Sequence, residues 1–168
     1  MERKRAICRE LGLVPAELHG EFTVSARLGH DALGLAISER NEILMDAADI
    51  CVANLTPFRG PSADAGTVFE LGYMIAQGKP AFGYTNDPRD YGVRVAELAN
   101  TTIVERDGGL FTSAGEMVEN HGMADNLMLE GSIRRRGHVL LRADAPSTDP
   151  WGDLTTFRRL VEHIAQKA

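Results

Sequence analysis

Two continuous apolar runs, separated by one helical pattern, constrain this chain more than any other feature of it. In "DICVANLTP" the residues Ile50, Cys51, Val52 and Ala53 run without a polar break into a Thr-Pro turn. In "KPAFGYTND", residues 79–87, a second apolar run follows Lys79 and Pro80 and reads as another buried strand. Runs that do not alternate suit strands buried on both faces, the mark of a parallel sheet covered by helices. Between them, residues from about Ala65 to Gln77 carry a helical pattern that Gly78 can stop.

The same alternation continues along the chain. Residues 2–11 read as a short helix ended by Gly12, and "GLVPAEL" has room for a short strand. Residues 19–30 have loop character. A helix is expected from about Asp31 to Ala47, with Leu33, Leu35, Ile37, Ile43, Leu44 and Ala47 as its apolar positions. Asp87-Pro88 opens another helix to about residue 98, "NTTIVER" reads as a further strand, and residues 107–126 carry no clear pattern. "NLML" and "HVLLRA" read as short extended segments. Asp149-Pro150 starts a last helix, about 151–166, with Leu154, Phe157, Leu160, Val161 and Ile164 as its packed stripe. Strands and helices in alternation predict one α/β domain over residues 1–168, layered around a parallel sheet.

Composition narrows the partners. A net charge of -6 argues against a nucleic-acid polymer or a membrane surface as the partner. The basic run Arg134–Arg136 is too short to change this and reads as a solvated turn. No stretch approaches the roughly 20 apolar residues of a membrane span. The N-terminus lacks the apolar core of a signal peptide, so the cytoplasm is the expected location. Cys8 and Cys51 form no CxxC pair, and Cys51 reads as a core residue. His19, His30, His121, His138 and His163 are scattered without ligand spacing, so no metal is expected. Tyr84 and Trp151 read as packing residues.

In open parallel sheets, ligands bind beyond the carboxyl ends of the strands. The loop 54–66 comes after the first apolar run at such an end. Asp64 then precedes the helix as its N-cap, and Glu70 lies about one and a half turns inside, with a rise of roughly 9 Å between them. Gly66 leaves room where a ligand could approach the backbone. An Asp before a helix is usually only a cap, and a helical Glu normally faces solvent. Val68, Phe69, Leu71, Met74 and Ile75 surround Glu70, however, and a helix apolar nearly all round is buried. Glu70 would then face a cavity as a candidate nucleophile or general base.

The stretch "DICVANLTPFRGPSADAGTVFELGYMIAQGKPAFGYTND", with the later "ADNLML", resembles the nucleoside 2-deoxyribosyltransferases. The resemblance covers about residues 30–130 and rests on Asp-x-Gly-Thr-x-x-Glu-Leu-Gly, the Gly-Lys-Pro strand entry and Asn-Leu-Met occurring together. It implies a flavodoxin-like three-layer α/β sandwich, exchange of the base of a 2′-deoxynucleoside for another free nucleobase, no cofactor, and a homo-oligomer. It also implies site residues. Glu70 would be the nucleophile that forms a covalent deoxyribosyl ester, and two displacements would retain the anomeric configuration. Asp64 would hydrogen-bond the base and help protonate it as it leaves. Asn41 would lie against the base. Asn126 and Met128 would reach a neighbouring subunit's site at the sugar end.

The chain departs from that family at its start. The usual first strand, of the type Ile-Tyr-Leu-Ala-Gly-Pro, is lacking, and "MERKRAICRELGLVP" resembles the family's segment immediately after that strand. The lack bears on activity more than on fold class. Two other functions stand beside base exchange, the second of them motivated by the lacking strand. One is hydrolysis of the N-glycosidic bond of a nucleoside or its 5′-monophosphate, with Arg59 and Ser62 as the available phosphate-binding groups. The other is nucleoside binding without turnover.

Overall fold

The computed structural model describes residues 1–17, 29–98 and 100–167. Six helices and six strands are described. The first helix, α1 (Glu2–Glu10), is succeeded by α2 (His30–Ala47), β1 (Cys51–Asn54), α3 (Ala65–Ala76), β2 (Ala81–Thr85) and α4 (Tyr91–Leu98). Then come β3 (Val104–Arg106), β4 (Gly109–Phe111), β5 (Met117–Val118), α5 (Leu127–Arg134), β6 (Leu140–Arg142) and α6 (Thr155–Ala165).

The two apolar runs are neighbouring parallel strands, with Cys51 opposite Ala81 and Asn54 opposite Tyr84. β6 adds on the far side of β2, also parallel, with Gly83 opposite Leu140. The sheet order is thus β1-β2-β6. Every residue of β2 is buried, as a central strand between two helical layers requires.

Strand residues of one parity point to one layer. Cys51, Ala53 and Ala81 pack with Met45 of α2, Leu71 and Met74 of α3, and Leu129 and Ile133 of α5. Residues of the other parity, Phe82 and Tyr84 with Ile50, Val52, Val139 and Leu141, pack with Ile7 of α1 and with Phe157, Leu160, Val161 and Ile164 of α6. These two cores on opposite faces make the three-layer α/β/α sandwich. Gly83 lets the α5 layer come close, since a Cβ there would meet Ile133 Cδ1 at 3.0 Å and Leu140 at 3.3 Å.

Several expectations change. "NLML" is not extended but opens α5, because Asn126 accepts from the Met128 N–H as an N-cap and Leu129 and Ile133 bury one face. "NTTIVER" supplies β3, but β3 belongs to a separate antiparallel sheet, β3-β4-β5, built with residues from the unpatterned stretch. The last helix begins at Thr155, because Asp149 and Pro150 open a turn in which Gly152 N–H donates to Asp149 Oδ1 at 2.9 Å. Residues 13–17 of "GLVPAEL" hold no regular structure, and Leu18 and residues 19–28 lie outside the described residues.

β1 lies at an edge of the sheet, and among the described residues no strand pairs with its outer side. A groove of about 980 Å³ runs there, between Cys8, Leu13 and Val14 on one wall and Leu44, Ala47, Ile50 and Val52 on the other. No helix among the described residues is long and apolar enough to cross a membrane.

Candidate active site on the first half of helix α3

The ends of β1 and β2 are tied together before the site begins. Asn54 Oδ1 accepts from Thr56 N–H at 3.1 Å and from Thr56 Oγ1 at 2.6 Å. The same Thr56 Oγ1 accepts from Asn86 N–H at 3.0 Å, just past β2. The loop then turns tightly. Phe58 N–H donates to Ser62 C=O at 2.9 Å, and Arg59 takes a left-handed φ of 56°.

Asp64 is the N-cap of α3, as the sequence predicts. Its Oδ2 accepts from Gly66 N–H at 3.0 Å and Thr67 N–H at 3.4 Å, which satisfies two otherwise orphan donors. Gly66 is exposed, and a Cβ on it would meet that same Oδ2 at 3.0 Å. The glycine therefore keeps space for the carboxylate.

Glu70 is half-buried. Burial raises its pKa above the ordinary glutamate value, and the Asp64 carboxylate raises it further. Glu70 is in turn felt by Cys51 at the start of β1. There burial pushes the thiol up to about 11, with the Glu70 charge as the second cause. The helix is not buried all round. Leu71 and Met74 are buried, but Phe69 is 56% exposed beside the carboxylate, its ring 5.8 Å from that of Tyr73. Glu70 therefore lies on a partly open ledge. It lines neither the groove along β1 nor the cavity of about 270 Å³ between α4 and the small sheet.

Two sequence-distant residues hold the loop from beneath. Asp125 is buried and accepts from Ala63 N–H at 2.9 Å through Oδ2, and from Ser62 Oγ and Asn126 N–H through Oδ1. Arg94 of α4, also buried, donates to Pro61 C=O at 2.8 Å and stands 3.8 Å from Asp125 Oδ2.

The profile of the nucleoside 2-deoxyribosyltransferases matches residues 1–128. The chain belongs to this family. An uncharacterized protein of Schizosaccharomyces pombe is 34% identical over 144 residues, an alignment spanning 79% of this chain and 68% of that one. A solved 2-desoxiribosyltransferase from Leishmania mexicana superposes with a TM-score of 0.55 at 25% identity, covering 96% of this chain and 85% of its own.

Within this deoxyribosyltransferase fold, Asp64, Gly66 and Glu70 come together on the first two turns of α3. Asn126 joins them indirectly, through Asp125 and Ser62. Its own side chain is committed: Oδ1 caps α5, and Nδ2 donates to Glu119 at 2.9 Å. Met128 is 62% exposed on α5, and Asn41 is exposed on α2. Among the described residues, no hydrogen bond or charge coupling joins Asn41 or Met128 to the two carboxylates.

Ser62 is not a free phosphate ligand, since its hydroxyl donates to Asp125. Arg59 is exposed and stacks over Phe58 at 4.6 Å. Among the described residues, no group of three or more His, Cys, Asp or Glu side chains is placed to hold a metal. Sequence reasoning missed Arg94 and Asp125. The one local signal for them is an arginine standing between two valines in "YGVRVAEL".

Proposed function

We propose that this chain transfers a 2-deoxyribosyl group between nucleobases through an ester on Glu70. The observation that carries the reading is the pair Asp64–Glu70 on one helix: a partly desolvated carboxylate of raised basicity beside a second, capped one. In the first step a Glu70 oxygen bonds to C1′ as the C1′–N bond breaks. The electron pair of that bond goes to the base, which leaves neutral with a proton delivered at the Asp64 end. In the second step a ring nitrogen of the incoming base attacks C1′ on the face the first base left. The ester C–O bond breaks, its electrons return to Glu70, and the base's proton goes back to the Asp64 end. Two inversions retain configuration.

The reading includes self-association. Exposed Phe69 on α3 and Met128 on α5, at 56% and 62%, supply apolar surface that a second copy would cover. Sedimentation analysis of the purified chain tests this, and a monomer at every concentration counts against it.

Incubation with deoxyinosine and free adenine is expected to yield deoxyadenosine. The peptide containing Glu70 is expected to gain the mass of one deoxyribosyl group when donor is supplied without acceptor. Exchange that persists in Glu70→Ala would reject Glu70 as the nucleophile. Because Glu70 is only half-buried, water is a competing acceptor. Deoxyribose released in the absence of free base would measure that branch.

A further inference from the structure

The buried ion pair beneath the site does more than hold the fold. We propose that Asp125, locked by Arg94, is a positioning residue that aims the Asp64 carboxylate at the departing base. The inference rests on the deoxyribosyl-transfer reading.

The geometry converges on the residues just before α3. Arg94 and Asp125 side chains are 3% and 0% exposed. The guanidinium spends its donors on backbone: Nε on Pro61 C=O at 2.8 Å, Nη1 on Arg89 C=O at 2.7 Å, and Nη2 on Ala124 C=O. The carboxylate it neutralises then takes Ser62 Oγ and Ala63 N–H. Pro61, Ser62 and Ala63 are therefore each gripped, one after another, immediately before Asp64. The Asp64 side chain is gripped from the other side by the first N–H groups of α3. A carboxylate fixed both at its backbone and at one oxygen leaves its remaining oxygen with a single direction.

A buried charge pair is a poor source of stability, since apolar side chains of similar volume do as well or better. Its distinctive use is geometric, because charge-assisted hydrogen bonds are short and directional. Here that direction is spent on one tripeptide of an otherwise irregular loop. Asp125 also holds the Asn126 N–H at 2.7 Å, so a single carboxylate sets the Asp64 loop against the start of α5.

The consequence is confined to proton transfer at the Asp64 end, out to the leaving base and back from the incoming one. Nucleophilic attack by Glu70, further along the helix, feels the charge of Asp64 but takes no proton from it, and that charge acts alike on both donors. Two donors separate the steps. Hypoxanthine leaving deoxyinosine needs a proton at the base. A 7-methylated purine deoxynucleoside already carries positive charge on its ring, and its base leaves without one.

The test compares wild type, Ser62→Ala, Ser62→Thr and Asp125→Asn with both donors, reading release of the donor base in a single turnover without acceptor, with thermal melts for each. Ser62→Ala is expected to lower the rate of hypoxanthine release from deoxyinosine about tenfold, equivalent to about 1.4 kcal/mol, with the half-saturating donor concentration changed less than about twofold. The methylated donor should lose less than about twofold. Ser62→Thr, which keeps the hydroxyl, should restore the wild-type ratio. Asp125→Asn should show the same selective loss, larger in size, and Ser62→Ala carries the test if Asp125→Asn fails to fold. Equal losses with both donors, or no loss with either, overturn the proposal. Wild type that turns over neither donor overturns the transfer reading, and this one with it.

Discussion

Asp64 and Glu70 stand six residues apart on one helix and share one electrostatic environment: burial raises the Glu70 pKa, and the Asp64 carboxylate raises it further. A half-buried glutamate is thereby kept more basic than an exposed one.

This relationship sets stability against activity. A carboxyl whose folded pKa is raised above its unfolded value stabilises the fold while protonated. That contribution is complete below the unfolded value and is lost as pH rises through the folded one. Glu70→Gln is therefore expected to melt higher than wild type at pH 7. The difference should vanish as pH falls below about 4.5, the ordinary glutamate value. Melting curves from about pH 3.5 to 8 read it directly, and a variant less stable than wild type at pH 7 would contradict it.

The roles of Asp64 as cap and as acid can be separated. Asn caps a helix about as well as Asp, whereas Ala costs about 1 kcal/mol. Asp64→Asn should keep the wild-type denaturation midpoint, and Asp64→Ala should lower stability by that amount. Both should lose exchange activity with donors whose base needs a proton. Full activity in Asp64→Asn would remove Asp64 from the chemistry.

Removing one member of the buried pair leaves its partner uncompensated. Arg94→Met is expected to destabilise by on the order of 3 kcal/mol, since Asp125 would keep a buried charge and the Pro61, Arg89 and Ala124 carbonyls would lose their donor. Urea titration monitored by circular dichroism checks this. A loss under about 1 kcal/mol would mean that water replaces the guanidinium.

Gly83 is the close contact between β2 and α5. Gly83→Ala would place a Cβ 3.0 Å from Ile133 Cδ1, and overpacking of this kind costs about 1–3 kcal/mol. The displaced helix carries Asn126 and Met128 with it, so exchange activity should fall together with the melting temperature. A neutral effect on both would show that Ile133 has another rotamer to use.

The fold was legible where patterns are local. The unbroken apolar run at 50–53 and the stretch "KPAFGYTND" announced strands covered on both faces, and β1 and β2 are such strands. The Asp64 cap was legible too, because capping needs only a side chain and the next three residues. "NLML" misled, because four such residues fit either state. Its helix is settled by a slot over β2 that Gly83 opens for Ile133.

That two buried strands flank a helix, that this helix begins at the Asp64 cap, and which family the chain joins were thus written in the sequence alone, since periodicity, caps and motifs act over a few residues. That Arg94, Asp125 and Ser62 meet beneath Asp64, and that Glu70 sits half-buried rather than enclosed, only the tertiary structure decided. Ion pairing and desolvation depend on what long-range packing brings within a few ångströms, and no local pattern encodes that.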